Sequence, residues 1–429
     1  MAPDTLDDEA HDATDRSEQS PPPEEPEQLP LLTLRDGLPP VTDTEPALAE
    51  VVEAIASGTG AVAIDAERAS GYRYSSRAYL IQLRREGSGS ALVDPIPFDD
   101  LRALDAAIGD AEWILHASTQ DLPCLREVGL VPRRLFDTEL AARLLGYPRV
   151  GLATLVETIV GRRMRKEHSA VDWSKRPLPE PWLEYAALDV EVLLELRDVL
   201  ATQLVAEGKQ RWAEEEFAHL LGFAPTPRTD PWRRTSGIHK AKGRRALAAV
   251  RELWTTRDDL ARQRDTTAGR LLPDSALIAA ANALPTSPKA LLDTPGFHGR
   301  AARRSSADWV AALDRARALD ERELPPVTVR SDAPPPPRTW VDRDPQAAAR
   351  LTVARDLVTA FCEEHRLPVE NLLTPDYLRR VLWKPPKAEA EQLPEAVAEA
   401  LRTLGAREWQ VELTAPMITT AILQARAEA

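Results

Sequence analysis

The sequence predicts an α/β domain with a mixed sheet and flanking helices, followed by two all-α modules. Three observations predict it. Short apolar or β-rich runs alternate with helical patterns over residues 46–204, which is typical of an α/β core. From about residue 237 onward, apolar positions recur at helical spacing. A proline-rich segment at 324–338 divides that helical region into two parts of similar size, and such a segment should be extended and semi-rigid.

The elements of the α/β domain follow one another along the chain. Residues 46–57 (PALAEVVEAIAS) predict an amphipathic helix. The apolar run 62–64 predicts a buried strand, and the runs 78–83 and 91–93 predict a hairpin whose turn holds Gly87-Ser88-Gly89-Ser90. No Lys-Ser/Thr follows that turn, so a phosphate-binding loop is not indicated. The remaining elements are predicted as a helix at 99–108, a strand at 112–116 and helices at 120–128, 138–145, 152–160 and 181–204.

Composition and patterning predict five segments. The first thirty residues carry ten acids against one base and hardly any large apolar residue, so they should be disordered. The predicted segments are an acidic tail at 1–30, the α/β domain at 31–215, a first helical module at 231–320, a proline-rich linker at 321–344 and a second helical module at 345–429.

The charge of the chain is unevenly distributed. Its 429 residues carry a net charge of −14, which argues weakly against a nucleic-acid partner. Residues 231–320, however, hold seventeen Lys and Arg against nine Asp and Glu. The two cysteines, Cys124 and Cys362, are too few for a disulfide framework or a cysteine zinc site. The sequence shows no signal peptide or membrane-helix pattern, so we expect a cytoplasmic protein.

Two carboxylates stand at the end of the first predicted strand, in the run Val62-Ala63-Ile64-Asp65-Ala66-Glu67. Because side chains alternate between faces along an extended strand, Asp65 and Glu67 should lie side by side. Carboxylates that close repel each other unless a proton or a cation lies between them. One interpretation is a hard divalent cation such as Mg²⁺ or Mn²⁺, bound through oxygen. The other is a strand end that enters a solvated loop.

Three further side chains also have two interpretations. Asp121 lies five residues after His116, at the start of a predicted helix, where an aspartate is most often an N-terminal cap. Tyr185 and Asp189 lie four residues apart inside a predicted helix, so they share one helix face. Alone, such a pair is usually a solvated aspartate beside a half-buried tyrosine.

The four carboxylates and the tyrosine together suit phosphoryl-transfer chemistry. Two metal ions about 3.5–4 Å apart stabilise both the attacking and the leaving oxygen of an in-line displacement. Holding two such ions calls for about four carboxylates, one of them bridging. A phenol beside the site can orient the attacking water or accept its proton. The set therefore predicts a metal-dependent site acting on phosphodiesters.

The spacing of these residues resembles the three exonuclease motifs of the DEDD superfamily, Tyr subtype: Asp65-x-Glu67, His116-x4-Asp121 and Tyr185-x3-Asp189. Longer runs are similar to ribonuclease D in particular. They are 136–138 (FDT), 150–155 (VGLATL), 172–179 (DWSKRPLP) and 185–190 (YAALDV). The resemblance runs over most of residues 61–200, and it implies a ribonuclease H-like fold and 3′→5′ exonuclease activity.

The resemblance implies a role for each matching residue. Asp65, Glu67 and Asp189 would ligate a first metal ion. Asp65 would bridge to a second ion, which Asp121 would hold through water. Two divalent ions, Mg²⁺ or Mn²⁺, are the implied cofactors. Tyr185 would position the nucleophilic water, so the implied catalytic set is the four carboxylates and this tyrosine.

Other positions are candidate contacts to nucleic acid. His116 stands where many DNA-proofreading relatives have Asn, and Gln120 where they have an aromatic residue. These differences from the DNA-proofreading relatives fit the ribonuclease D branch of the superfamily. Trp173 and Arg176 are candidates for the lining of the substrate cleft, and a structural role is the alternative for Trp173.

The first helical module resembles an HRDC domain, a module found in helicases and in ribonuclease D. The resemblance rests on residues 232–234, 244–254 and 271–281. A cluster of cations beside aromatic residues predicts phosphate-backbone contact, which is sequence-independent and salt-sensitive. The alternative is a solvated helix face. The cluster consists of Arg233, Arg234, Lys240, Lys242, Arg244 and Arg245. Residues 345–429 look like a second, more divergent module of this type.

These features lead us to expect a monomeric, metal-dependent 3′→5′ exoribonuclease that releases nucleoside 5′-monophosphates. The resemblance further implies RNA partners, namely tRNA precursors and other small structured RNAs, and no membrane partner. A DNA exonuclease would use the same carboxylates. It would differ in whether the site tolerates or requires the 2′-hydroxyl of the substrate. A non-catalytic RNA-binding scaffold ranks last because all four carboxylates are present.

Overall fold

A six-stranded mixed sheet forms the centre of the α/β domain in the computed structural model, which describes residues 29–165, 168, 170–328 and 332–427. The strands are β1 Val41–Thr42, β2 Thr59–Arg68, β3 Ala78–Glu86, β4 Gly89–Val93, β5 Glu112–Leu115 and β6 Arg134–Asp137. They lie in the order β1-β4-β3-β2-β5-β6. β3 is antiparallel to β2 and β4, and the other neighbouring strands pair in parallel. The predicted mixed sheet and its hairpin are confirmed.

Helices cover both faces of this sheet. Along β2, Val62 and Ile64 are buried in one core cluster and Ala63 in another, as alternation along a strand requires. The helices of the domain are α1 Glu45–Ser57, α2 Arg102–Ile108, α3 Leu122–Glu127, α4 Thr138–Leu144, α5 Leu152–Leu155, α6 Glu180–Glu191, α7 Leu193–Ala206 and α8 Gln210–Leu221. Val62 and Ile64 pack with α1, α2 and α3, whereas Ala63 packs with α4, α6 and α7. A 3₁₀ turn at Ser118–Gln120 precedes α3, and a π-helical turn at Val156–Val160 follows α5.

The first helical module packs around two buried tryptophans, Trp232 and Trp309. Its long helix α9 contacts both α11 and α14. The helices are α9 Gly243–Gln263, α10 Ala268–Leu271, α11 Asp274–Ala283, α12 Pro288–Leu292, α13 Arg300–Arg304 and α14 Ser306–Ala318, preceded by 3₁₀ turns at Pro231–Arg234 and Ile238–Lys240.

The second helical module begins earlier than the sequence predicts. Trp340 lies within the predicted linker 321–344, yet its side chain is fully buried in the core of the module and packs on Trp383. The linker prediction was based on proline content, which gives no indication that one tryptophan within the segment is buried in the core of the module. The helices are α15 Trp340–Arg343, α16 Pro345–Glu364, α17 Val369–Leu372, α18 Pro375–Trp383, α19 Leu393–Leu404 and α20 Glu408–Ala427, after a 3₁₀ turn at Pro337–Thr339.

The second helical module shares a core with the α/β domain. Val358, Cys362 and Trp409 are buried in the same cluster as the residues around α4 and α7. At the edge of this cluster, Glu216 of α8 accepts hydrogen bonds from the Arg407 guanidinium and the Trp409 indole. The helix α8, which the sequence analysis did not predict, therefore joins the two parts of the molecule.

Two further predictions concern the chain as a whole. The acidic tail predicted at 1–30 lies outside the described residues except for its last two. Of these, Pro30 accepts a backbone hydrogen bond from Arg163. Within the described residues, each helix is too short or too polar to cross a bilayer.

Candidate active site

Strand β2 places two carboxylates on one face at the centre of the sheet. Val62–Ile64 is buried between β3 and β5. The strand continues through Asp65 and Glu67, which lie opposite Gln82 and Leu80 of β3. Because the two carboxylates are two residues apart on an extended strand, they point to the same side. That side carries α6, which contacts β2, β3 and β4.

Helix α6 brings a third carboxylate to the same place. Tyr185 and Asp189 lie one turn apart on this helix, so the Tyr185 hydroxyl and the Asp189 carboxylate are neighbours that interact. Oxygen atoms of Asp65, Glu67 and Asp189 all lie within 4.8 Å of one another. The structure thus brings three of the four predicted carboxylates into one cluster.

The fourth carboxylate, Asp121, lies outside this group of three but near enough to interact with the charge of Asp65, and it follows a turn held by Asp137. Ala117, just after β5, has a left-handed backbone with a φ of 58°, which is uncommon for a residue with a side chain. Asp137 accepts hydrogen bonds from the backbone N–H groups of Ala117 and Ser118 at 3.2 and 2.8 Å. It also accepts one from Leu140 and so caps α4. One carboxylate therefore fixes both the turn that precedes Asp121 and the start of α4.

His116 lies beside the same turn. Its Nδ1 atom is 2.9 Å from the hydroxyl of Thr138, which donates to the carbonyl of Leu115. Burial lowers the pKa of His116, although the charges of Asp137 and Glu139 oppose the shift. The imidazole is therefore neutral at neutral pH and offers one donor and one acceptor.

The carboxylates repel one another. Burial raises the pKa of Asp65 to about 6, against a backbone hydrogen bond and the charge of Arg68. Burial also raises the pKa values of Glu67, Asp121 and Asp189 well above their usual range, and the neighbouring carboxylates add to each shift. Such a cluster calls for protons or cations. Its all-oxygen donor set suits a hard divalent cation, so the residues fit the predicted metal ions.

Arg68 is a member of the site that the sequence analysis missed. Its guanidinium lies 3.4 Å from the Asp121 carboxylate. Among the described residues, this is the one ion pair made by any of the four carboxylates. The signal was its position directly after Glu67 on β2, but strand alternation places neighbours on opposite faces. At a strand end, however, a long arginine side chain can extend from one face of the sheet to the other.

Burial raises the pKa of Tyr185, and the charges of Asp189, Glu67 and Asp65 add to the shift. The phenol is therefore protonated across the physiological range and acts as a hydrogen-bond donor. His168 lies edge-on to its ring, with 6.1 Å between the ring centroids.

Two predicted cleft residues make contacts that stabilise the fold. Trp173 is fully buried and packs edge-on against Trp182, as its structural alternative requires. Arg176 is exposed, forms an ion pair with Asp94 and donates to the carbonyls of Tyr79 and Trp173. Its guanidinium thereby holds the segment before α6 against the sheet, and its place in the lining of the cleft stays a prediction.

The predicted basic cluster divides into two halves. Arg244 and Arg245 donate to carbonyls at and after the end of α14 and pair with Glu321. Arg233 stacks on Trp232 and pairs with Asp230. These three cations are engaged by groups of the module and stay partly exposed, so their contact with phosphates stays a prediction. Exposed side chains without an ion pair in the described part of the chain remain at Arg234, Lys240 and Lys242.

A second exposed basic surface was not predicted. Lys289 of α12 and three arginines of α13 are exposed, and none forms an ion pair with a described residue. Asp293 and Asp308 lie nearby in the chain and are also exposed. The arginines are Arg300, Arg303 and Arg304. We call these four cations the α12–α13 basic surface.

Known protein families match three stretches of the chain. A 3′-5′ exonuclease family matches residues 40–205, and the HRDC domain family matches residues 246–313. A family described as the 3′ to 5′ exonuclease C-terminal domain matches residues 333–422.

Individual proteins resemble almost the whole chain. Ribonuclease D of Granulibacter bethesdensis is 30% identical over 75% of this chain and 80% of its own length. A crystal structure of a protein from Bifidobacterium adolescentis has a TM-score of 0.85 at 38% identity, covering 92% of this chain and all of that one. Escherichia coli ribonuclease D, described as an exoribonuclease involved in structured RNA processing, has a TM-score of 0.64 at 26% identity, covering 90% of this chain and 98% of that one.

Proposed function

Because this chain belongs to the ribonuclease D family and is a hydrolytic 3′→5′ exoribonuclease, we propose that it trims tRNA precursors and other small structured RNAs with two divalent metal ions. The observation that carries the proposal is the cluster of three carboxylates within 4.8 Å. The substrate class follows the description of the Escherichia coli relative.

Each site residue has a task in this mechanism. Asp65, Glu67 and Asp189 would hold one Mg²⁺ or Mn²⁺ ion, and Asp65 and Asp121 would hold the second. When bound, the two ions supply Lewis-acid stabilisation of the charge that develops on the scissile phosphate. Tyr185, held by Asp189, orients the attacking water with its protonated hydroxyl.

The reaction consumes one water molecule for each nucleotide released. The water oxygen forms a bond to the terminal phosphorus, and the P–O bond to the neighbouring 3′ oxygen breaks. That oxygen takes up a proton. The products are a nucleoside 5′-monophosphate and an RNA strand one residue shorter that ends in a 3′-hydroxyl.

Contacts to the RNA complete the proposal. His116 is neutral and lies beside the turn that precedes Asp121, where it would contact the terminal nucleotide. The exposed cations Arg234, Lys240 and Lys242, together with the α12–α13 basic surface, contact phosphates of the strand without reading its sequence. The protein acts as a monomer, since one chain supplies every residue of the proposed site. A cytoplasmic location stays a prediction of the sequence.

A 3′-extended tRNA transcript tests this function. We expect release of nucleoside 5′-monophosphates from the 3′ end, identified by chromatography, and slower release from a DNA strand of the same sequence. Release of 3′-monophosphates would contradict the proposed chemistry. Faster release from DNA would make the protein a DNA exonuclease, and binding without release would leave an RNA-binding scaffold.

A further inference from the structure

The loop between β2 and β3, residues 69–77, is held by the first helical module. Asp265, just after α9, accepts hydrogen bonds from the backbone N–H groups of Tyr74 and Ser75 at 3.2 and 2.9 Å. Its other carboxylate oxygen lies 3.4 Å from the Tyr79 hydroxyl. Burial opposes the ionisation of Asp265, but hydrogen bonds from Ser75, the charge of Arg73 and the N–H group of Tyr74 together outweigh it and lower its pKa. An aspartate of the module therefore fixes the backbone of a loop in the α/β domain.

Two more residues of α9 hold the tip of the loop. The Tyr74 hydroxyl lies 3.0 and 3.1 Å from the two carboxylate oxygens of Asp258. Arg262 pairs with Asp258, donates to the Tyr74 hydroxyl and lies over the tyrosine ring, 5.5 Å from its centroid. Tyr74 is therefore bound through both its hydroxyl and its ring.

The start of the loop is held as well. Arg270 of α10 donates to the Gly71 carbonyl at 2.8 Å and lies over the ring of Tyr72, 4.1 Å from its centroid. The backbone N–H of Thr267 donates to the Tyr72 carbonyl. Backbone groups in both halves of the loop are thus bonded to the module. These bonds specify one conformation of the loop.

The opposite side of the loop touches the segment that leads into α6. The Arg73 guanidinium donates to the Ser174 hydroxyl at 2.8 Å, and that hydroxyl donates to Asp172. The Tyr72 hydroxyl lies 3.5 Å from the Ala170 carbonyl. The loop therefore lies between the first helical module and residues 170–174.

The loop adjoins β2 and the segment that leads into α6, and both of these elements carry catalytic groups of the proposed site. β2 ends at Arg68, directly before the loop and directly after Glu67. The segment 170–174 continues into α6, which holds Tyr185 and Asp189. A displaced loop would shift both elements, and a 1 Å misplacement can cost about 10²-fold in rate.

We propose that Asp265 and Asp258 of the first helical module are positioning residues of the exonuclease site, so that docking of this module raises turnover without any contact to RNA. The inference rests on the proposed function. The chemistry of the two residues supports it, because Asp265 and Asp258, unlike the neighbouring Arg262 and Arg270, are unsuited to contact a phosphate backbone. The HRDC-type module thus has a second task besides binding the strand.

A dinucleotide separates the two tasks, since it offers one phosphodiester bond and no strand that extends to the helical module. We expect Asp265→Ala to lower kcat on a diribonucleotide at least tenfold, with KM within about twofold of the wild type. Asp265→Asn keeps an acceptor oxygen for the two N–H groups, so it should recover most of kcat. Tyr74→Phe, which removes the contacts of the hydroxyl to Asp258 and Arg262, should lower kcat by a smaller factor.

The control is Asp293→Asn, an exposed aspartate of the same module with no side-chain partner among the described residues. It should leave both constants unchanged. Thermal unfolding followed by circular dichroism establishes that each variant is folded. If Asp265→Ala fails to fold, Tyr74→Phe and Asp265→Asn carry the test.

Unchanged kcat on the dinucleotide in Asp265→Ala and Tyr74→Phe would overturn the inference. So would a defect confined to the KM of long RNA. A wild type that cleaves long RNA but leaves the dinucleotide intact would also overturn it, because the site would then depend on distant RNA contacts. A wild type that cleaves neither substrate would instead contradict the proposed function.

Discussion

Two buried carboxylates and a half-buried one, all within 4.8 Å of one another, destabilise the fold unless protons or cations neutralise them. Their local spacings, i+2 on a strand and i+4 on a helix, made Asp65, Glu67 and Asp189 predictable from the sequence. The ion pair of Arg68 was not predictable, because it depends on how a long side chain crosses a strand end. The sequence also did not predict that Arg244 and Arg245 donate to nearby carbonyls, because those carbonyls lie more than 70 positions away along the chain.

A first prediction concerns Asp65 and metal binding. Its pKa in the folded state, about 6, lies above the ordinary 3.8, so its ionisation costs folding free energy. That cost is absent below about pH 4 and complete above about pH 6. We therefore expect Mg²⁺ to raise Tm more at pH 8 than at pH 5, where protons occupy the cluster.

Asp65→Asn is the matched variant for this measurement. It removes one buried charge, so its Tm without metal at pH 8 should exceed that of the wild type, and Mg²⁺ should raise it little. Differential scanning calorimetry with EDTA and with Mg²⁺ measures both effects. An equal Mg²⁺-dependent rise in both proteins would place the metal elsewhere.

A second prediction concerns the Tyr185 hydroxyl. Tyr185→Phe keeps the ring and removes the donor that orients water, so kcat should fall by about 10²-fold while KM changes little. Steady-state kinetics on the tRNA transcript measure both constants. A rise in KM at constant kcat would make Tyr185 a substrate-binding residue instead.

At the scale of elements, the turn after β5 depends on a single cap. The sequence predicted β5 and α4, and the run 136–138 was noted only as a resemblance. The structure gives the physical reason, since Asp137 bonds the N–H groups of Ala117, Ser118 and Leu140. The helix α8 escaped prediction because its apolar face is shared between the sheet and the second module, which a short helix pattern does not reveal.

A third prediction follows for this element. Asp137→Ala leaves three N–H groups without their acceptor, so we expect a loss of about 1–3 kcal/mol in the free energy of unfolding and lower activity through misplaced Asp121. Asp137→Asn keeps an acceptor and should be milder on both counts. Urea denaturation and the exonuclease assay measure them. Equal effects of both substitutions would indicate that the charge, and not the cap, is what the turn requires.

At the scale of the whole molecule, the two helical modules dock differently. The first meets the α/β domain through hydrogen bonds to a loop, and the second shares a hydrophobic core with it. The sequence predicted both modules but neither docking mode, because these contacts join residues more than 150 positions apart. Buried apolar contacts hold the second module rigidly against the α/β domain. The polar junction of the first module fixes the conformation of the loop 69–77 at a small cost in free energy.

A fourth prediction tests the shared core. Gly146 has a φ of 77°, and a Cβ atom there would lie 2.1 Å from the Arg366 carbonyl oxygen of the second module. Gly146→Ala should therefore lower the free energy of unfolding by about 1–3 kcal/mol. Gly151→Ala is the control, since its φ of −64° is ordinary and its Cβ would meet nothing within 4 Å. Equal stability of the two variants would show that the modules do not pack as described.

The central claim is that the carboxylate cluster is the metal-dependent exonuclease site. The most direct test is the shortening of a 3′-extended tRNA transcript with Mg²⁺ by the wild type, by Asp65→Asn and by the exposed control Asp43→Asn. We predict stepwise 3′ shortening by the wild type and the control, and none by Asp65→Asn or by any protein in EDTA. Shortening by Asp65→Asn at the wild-type rate would contradict the account.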